Sequence, residues 1–262
     1  MAPSQRDTQK TSLSETTLNQ AQVAVFEKDS SDWWDETGPF SPLHRLNPLR
    51  IHYIRERIAS HFGRDNAQIR IAEGLKILDI GCGGGLVSES LSRLGADMTG
   101  IDADANAISV AKAHAQQEGL NINYQAELPE ALAQGHAASF DIVLALEVIE
   151  HVADPALFMQ SCAKLCKPDG MVIMSTLNRT PKSYLLGIIA AEHILGWVPK
   201  GTHDWKAFLK PRELHQLARA NGLAAIDQKA IVFDMLSNSF SVREQNDPVN
   251  YIVAFKNLAG AA

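Results

Sequence analysis

Lys76-Ile77-Leu78-Asp79-Ile80-Gly81-Cys82-Gly83-Gly84-Gly85 is the stretch that decides the fold of this chain. It reads as an apolar strand ending in a glycine turn. Gly81, Gly83 and Gly85 carry no side chain, so a ligand can approach the backbone closely there. Such a turn, after a first strand and opening a helix, builds a nucleotide-type site at the end of a parallel sheet. Outward from it, strand and helix signals alternate, which implies a parallel sheet with helices on both faces. Strands are expected near 76–80, 97–101, 121–125, 140–145, 170–176, 224–233 and 249–256. Helices are expected near 85–94, 104–118, 153–166 and 211–221. Lys167-Pro168-Asp169-Gly170 reads as a turn before the fifth strand, and Pro248 places the last strand toward a sheet edge. Residues 20–35 and 47–62 look helical and are placed to lid the site.

The bulk composition narrows the function classes. The 262 residues are 45% hydrophobic and 21% charged, ordinary for a soluble globular protein. A net charge of −6 argues against a nucleic-acid partner held by phosphate neutralisation. Three cysteines, Cys82, Cys162 and Cys166, fit a reducing compartment without a disulfide framework, and the last two read as core thiols. Residues 1–20 are Ser/Thr/Gln-rich with no apolar secretory core and read as a disordered tail. Residues 21–258 form one domain on this reading.

The spacing of the turn selects the ligand. A dinucleotide fingerprint needs Gly-x-Gly-x-x-Gly, and Leu86 stands where its third glycine belongs. A nicotinamide oxidoreductase is disfavoured on that ground. Asp102, at the end of the second strand, is placed to accept hydrogen bonds from ribose hydroxyls.

With Leu78-Asp79-Ile80-Gly81-Cys82-Gly83-Gly84-Gly85, Asp102, Phe140-Asp141-Ile142-Val143 and Leu165-Cys166-Lys167-Pro168-Asp169-Gly170, the chain resembles the class I S-adenosylmethionine-dependent methyltransferases. The resemblance implies a Rossmann-like α/β fold with a mostly parallel seven-stranded sheet and an antiparallel last strand. It also implies that the turn, with Gly81, Cys82, Gly83 and Gly85, wraps the methionine part of S-adenosylmethionine. Asp102 would hold the ribose, Leu146 would lie along the cofactor, and Glu127 and Leu128 would approach adenine. Asp79 either contacts the ligand or only orients the turn.

Leu146-Glu147-Val148-Ile149-Glu150-His151-Val152 follows the fourth strand. On a helical turn, positions 147, 150 and 151 share one face. Two carboxylates and an imidazole on one face suit a hard divalent cation, or else an acceptor pocket with His151 as general base.

Further stretches narrow the family. Trp33-Trp34-Asp35, Pro42-Leu43-His44-Arg45-Leu46-Asn47-Pro48-Leu49-Arg50, Ser175-Thr176-Leu177-Asn178-Arg179, Pro199-Lys200-Gly201-Thr202-His203-Asp204 and Asp247-Pro248-Val249-Asn250-Tyr251 are similar to the ubiquinone-biosynthesis O-methyltransferases. The likeness spans roughly residues 20–256. It implies methylation of a phenolic oxygen in prenylated catechols, 2-polyprenyl-6-hydroxyphenol and 3-demethylubiquinol. It implies Mg2+ on Glu147, Glu150 and His151, and a cofactor-binding role for Arg50. Without the likeness, Arg50 reads as a solvent-facing helix arginine.

The apolar run Tyr184–Val198, inside residues 182–200, is too short to span a bilayer, which takes ~20 residues. It reads as a lid helix over the substrate or as an interfacial helix touching lipid. The resemblance implies peripheral membrane association through it, hence a cytoplasmic protein at the inner membrane, with a ubiquinone-synthesis protein complex as a further partner. A quinone- or lipid-binding accessory protein without turnover is the non-catalytic alternative, and the intact Asp102, Glu147, Glu150 and His151 argue against it.

Overall fold

The computed structural model describes residues 16–20, 23, 32–183, 205–234, 239–244 and 249–259. One mixed sheet dominates it. Its strands are β1 (Lys76–Ile80), β2 (Asp97–Asp102), β3 (Asn123–Ala126), β4 (Phe140–Leu146), β5 (Cys166–Leu177), β6 (Leu223–Asp234), β7 (Ser239–Arg243) and β8 (Asn250–Asn257). Their order is β3-β2-β1-β4-β5-β8-β6-β7. The first five pair in parallel, and β8 runs antiparallel to both β5 and β6, with β7 antiparallel to β6.

Alternate residues of each strand feed opposite cores. Ile77, Met98, Leu144 and Ile173 join a cluster with helix α1 (Ser41–Phe62) and helix α2 (Leu86–Arg93). Leu78, Val143, Val172 and Phe255 join the other, with Phe158 of α5 (Pro155–Leu165) and Leu214 of α6 (Pro211–Ala220). Helices α3 (Ala105–Gln117) and α4 (Pro129–Gly135) complete the layers. Side-chain caps set two starts: Asp104 accepts from Asn106 N at 2.8 Å, and Asp154 accepts from Ala156 N at 2.9 Å.

The fold class is as expected, with four corrections. The sheet has eight strands, not seven, because the short alternating run Ser-Phe-Ser-Val-Arg forms β7. β8 is central rather than at an edge. Tyr251 to Phe255 are at most 1% exposed, between β5 and β6. The Lys167–Gly170 turn is absorbed into β5 as a register shift against β4, with Asp169 at φ 60°. Helix α1 starts at Ser41 rather than near 47, because Pro42 takes the first turn and Pro48 is tolerated inside. The helix expected over 20–35 lies largely outside the described residues, and its last described part, Asp32–Trp34, is turn.

Parallel strands to either side of β1 diverge in connection, so β1 and β4 flank a topological switch point. Ligands of such sheets bind beyond the carboxyl ends of the strands there. Gly81 follows β1 and Glu147 follows β4 at that end.

Candidate functional site

The glycine turn is built as its sequence demands. Gly81 and Cys82 both donate their N–H to Ile101 O, at 2.8 and 3.1 Å, which ties the turn to β2. Gly81, Gly83 and Gly85 hold φ of 71°, 52° and 95°, a region that L side chains adopt at a cost. A Cβ at Gly81 would strike Val148, one at Gly83 or Gly84 the Trp33 ring, and one at Gly85 the Tyr124 hydroxyl. Cys82 is buried against Tyr124, and Cys162 and Cys166 are free core thiols as expected.

Asp102 stands at the end of β2 and accepts from Gly83 N at 2.8 Å and Asp104 N at 2.9 Å. Each carboxylate oxygen keeps a second lone pair for a ribose hydroxyl. Burial raises its pKa, opposed by those two backbone bonds. Glu127 N donates to Asp102 O at 3.1 Å, so Glu127 and Leu128 reach the same end of the sheet, both half-buried. Leu146 is buried at the end of β4. Asp79 accepts from Ser88 Oγ at 2.7 Å, a bond between β1 and α2 that orients the turn. Burial chiefly pushes its pKa up to about 7, and the charge of Asp102 adds to this.

Arg50 is not solvent-facing. It is 5% exposed, its Nε and Nη2 are buried without a hydrogen bond, and Nη2 approaches Glu147 Oε1 at 3.3 Å. A buried guanidinium with unused donors is suited to a carboxylate ligand, which it can grip through two parallel bonds.

Glu147, Glu150 and His151 do not form the helical face expected of them. Glu147 sits at φ 58°, and a 3-10 turn begins only at Ile149, so the phase between 147 and 150 is broken. Glu147 accepts from Ser175 Oγ at 2.6 Å and from Asn250 Nδ2 at 3.2 Å. Glu150 accepts from Thr176 Oγ1 at 2.8 Å through Oε2, while its buried Oε1 receives no hydrogen bond. Burial, then the charge of Glu147, pushes the Glu150 carboxyl up to about 8. Among the described residues, no three His, Cys, Asp or Glu side chains gather as a cation site. The chain thus offers an acidic pair, one oxygen of which lacks a partner, but no assembled three-ligand cage.

Sequence reasoning missed the partners that hold these carboxylates. Ser175, Thr176 and Asn250 come from β5 and β8, far from residue 147 in the chain; polar side chains interrupting an apolar strand were the available signal. It also missed that Trp33 and Trp34 pack on the glycine turn. Residues 184–200 and Pro199–Asp204 lie outside the described residues. Among those described, no helix is long and apolar enough to cross a membrane.

A family model described as "Methyltransferase domain" matches residues 50–228. The "Ubiquinone biosynthesis O-methyltransferase" of Roseobacter denitrificans is 48% identical over 240 residues, covering 92% of this chain and 96% of that protein. The protein of the same name from Sinorhizobium medicae is 45% identical over 241 residues, covering 92% and 96%. Among solved structures, the plantazolicin methyltransferase BamL, in complex with a triazolic desmethylPZN analog and SAH, superposes with a TM-score of 0.57 at 17% identity, covering 91% of this chain and 98% of that one. PH0226 from Pyrococcus horikoshii OT3 does so at 0.56 and 18%, covering 83% and 90%. These two speak to the fold alone.

Proposed function

Because the chain belongs to the ubiquinone biosynthesis O-methyltransferases, and is an S-adenosylmethionine-dependent O-methyltransferase, we propose that it methylates a phenolic oxygen of prenylated catechols, 2-polyprenyl-6-hydroxyphenol and 3-demethylubiquinol. The observation that carries the reading is likeness along 92% of the chain to enzymes named for that biosynthesis. Gly81 to Gly85 would hold the cofactor, with Arg50 for its carboxylate and Asp102 for its ribose. Glu147, Glu150 and His151 stand beyond β4, on the side where the acceptor would meet the methyl.

A phenol with a pKa of about 10 is a weak nucleophile while neutral. The attacking oxygen forms its bond to the methyl carbon as the carbon–sulfur bond breaks, so the sulfonium becomes the neutral thioether of S-adenosylhomocysteine. The phenolic proton leaves to water or to a base, His151 being the candidate base only where it does not hold the ion described next. Alignment of the oxygen with the methyl supplies much of the rate. A divalent ion held beside the acceptor would lower the phenol pKa. The unpartnered Glu150 Oε1 beside Glu147 supports such an ion; those two carboxylates would hold it, with His151 as the third ligand that the family likeness implies.

The test is mass-spectrometric identification of the product from a short-chain prenylated catechol, with Mg2+ and with chelator. A singly O-methylated catechol, lost on chelation and restored by Mg2+, is expected. Undiminished turnover in chelator removes the ion, and no product from either catechol removes the substrate.

The long apolar tail of such substrates gives the run Tyr184–Val198 a purpose as an interfacial segment. Deletion of 184–198 is expected to abolish co-sedimentation with liposomes, and unchanged co-sedimentation would refute membrane attachment there. A complex with other ubiquinone-synthesis proteins would keep insoluble intermediates at one membrane site.

A further inference from the structure

A set of contacts on the glycine turn is used by none of the roles above. Trp34 Nε1 donates to Gly84 O at 3.0 Å. The same indole stacks on the His114 imidazole, with centroids 3.4 Å apart and planes 7° apart. His114 Nδ1 lies 2.7 Å from Glu89 Oε1, a buried carboxylate. Glu89 is in the first turn of α2 and His114 in the last turn of α3. The contacts therefore run from the segment before α1, across the turn, into both helices that follow the first two strands.

Trp33 is fixed as the chain neighbour of Trp34. It stacks on Phe40 at 3.9 Å, and its carbonyl is 2.9 Å from His44 Nε2. Its ring lies against Gly83 and Gly84. Its Nε1 is buried and has no hydrogen-bond partner among the described residues. A buried donor left unpaired is destabilising, and here it stands on the backbone that the cofactor must touch.

We propose that Glu89, His114 and Trp34 form a latch holding Trp33 on the glycine turn, with its indole N–H presented to an acceptor oxygen of bound S-adenosylmethionine. Trp33 is then a cofactor-contacting residue, and the other three are positioning residues. The inference rests on the cofactor alone and does not depend on which catechol is methylated.

The test uses the full chain and S-adenosylhomocysteine affinity by calorimetry, beside steady-state kinetics. Trp33→Phe keeps the Phe40 stack and deletes the donor. Trp34→Phe keeps the His114 stack and deletes the Gly84 bond. Each is expected to weaken S-adenosylhomocysteine binding about five- to tenfold, the scale of one neutral hydrogen bond. The cofactor KM should rise with it, while kcat stays within about twofold. His114→Ala should act in the same direction, and if it fails to fold, Trp34→Phe carries the latch. The cofactor-induced change in tryptophan emission should vanish in Trp33→Phe. Because Trp34 works through Trp33, the double variant should bind no worse than Trp33→Phe alone, whereas additive losses would overturn the latch. Wild-type affinity in a folded Trp33→Phe would overturn the donor.

Discussion

Arg50→Ala is expected to raise the S-adenosylmethionine KM about a hundredfold or more, the sum of two charge-assisted hydrogen bonds of roughly 1.5–3 kcal/mol each. The physical ground is that the guanidinium is buried beside Glu147, at the strand ends, and has donors to spare. Arg50→Lys keeps the charge and loses the planar fork, so its KM should fall between the two. Alanine also leaves Glu147 without its cation, though Ser175 and Asn250 still donate to it. Damage to folding is separated from loss of the clamp by an S-adenosylhomocysteine analogue that lacks the carboxylate. Wild type and Arg50→Ala should bind that analogue equally. An unchanged KM in a folded Arg50→Ala protein would remove Arg50 from the cofactor site.

Gly85→Ala is expected to be the most damaging single methyl in the turn. Its φ of 95° is unfavourable for alanine, and the added Cβ would fall on the Tyr124 hydroxyl. Tyr124 has nowhere to retreat, since its ring already rests on Gly100 and it is 3% exposed. The backbone penalty of roughly 1–2 kcal/mol and overpacking of roughly 1–3 kcal/mol sum to about 2–5 kcal/mol, a fall in Tm of about 5–15 °C for a chain of this size. Calorimetry of Gly85→Ala, Tyr124→Phe and the double variant divides the two parts. Phenylalanine removes the clashing oxygen, so the double variant should regain the steric share and keep the backbone share. A Gly85→Ala protein as stable as wild type would refute both.

What the sequence disclosed and what it hid follow one physical division. The turn, Asp102 and the parallel strands were legible because their signals are local: glycine spacing, a carboxylate ending an apolar strand, period-two and helical patterns. Arg50 was legible as a family position, yet its burial was not, because that depends on how α1 packs over β1 and β4. The helical face assigned to Glu147, Glu150 and His151 was misplaced by one residue's conformation, since a positive φ at a glutamate leaves no mark in composition. The central place of β8 escaped for a different reason. An antiparallel strand can pair with any free edge, and nothing within Tyr251–Phe255 says that β5 and β6 are the edges it joins. The partners of the acidic pair come from β5 and β8, so they were hidden with that pairing.

The slot filled by β8 bears on how the chain is made. Synthesis runs from the N-terminus, while domains generally fold as units. β5 ends at Leu177 and β6 at Asp234, both before Asn250, yet neither pairs with the other. Each has one unpaired edge until β8 pairs with it, the condition under which strands pair wrongly with other chains. The sheet is therefore closed like an arch, from the middle and by the last of its described strands.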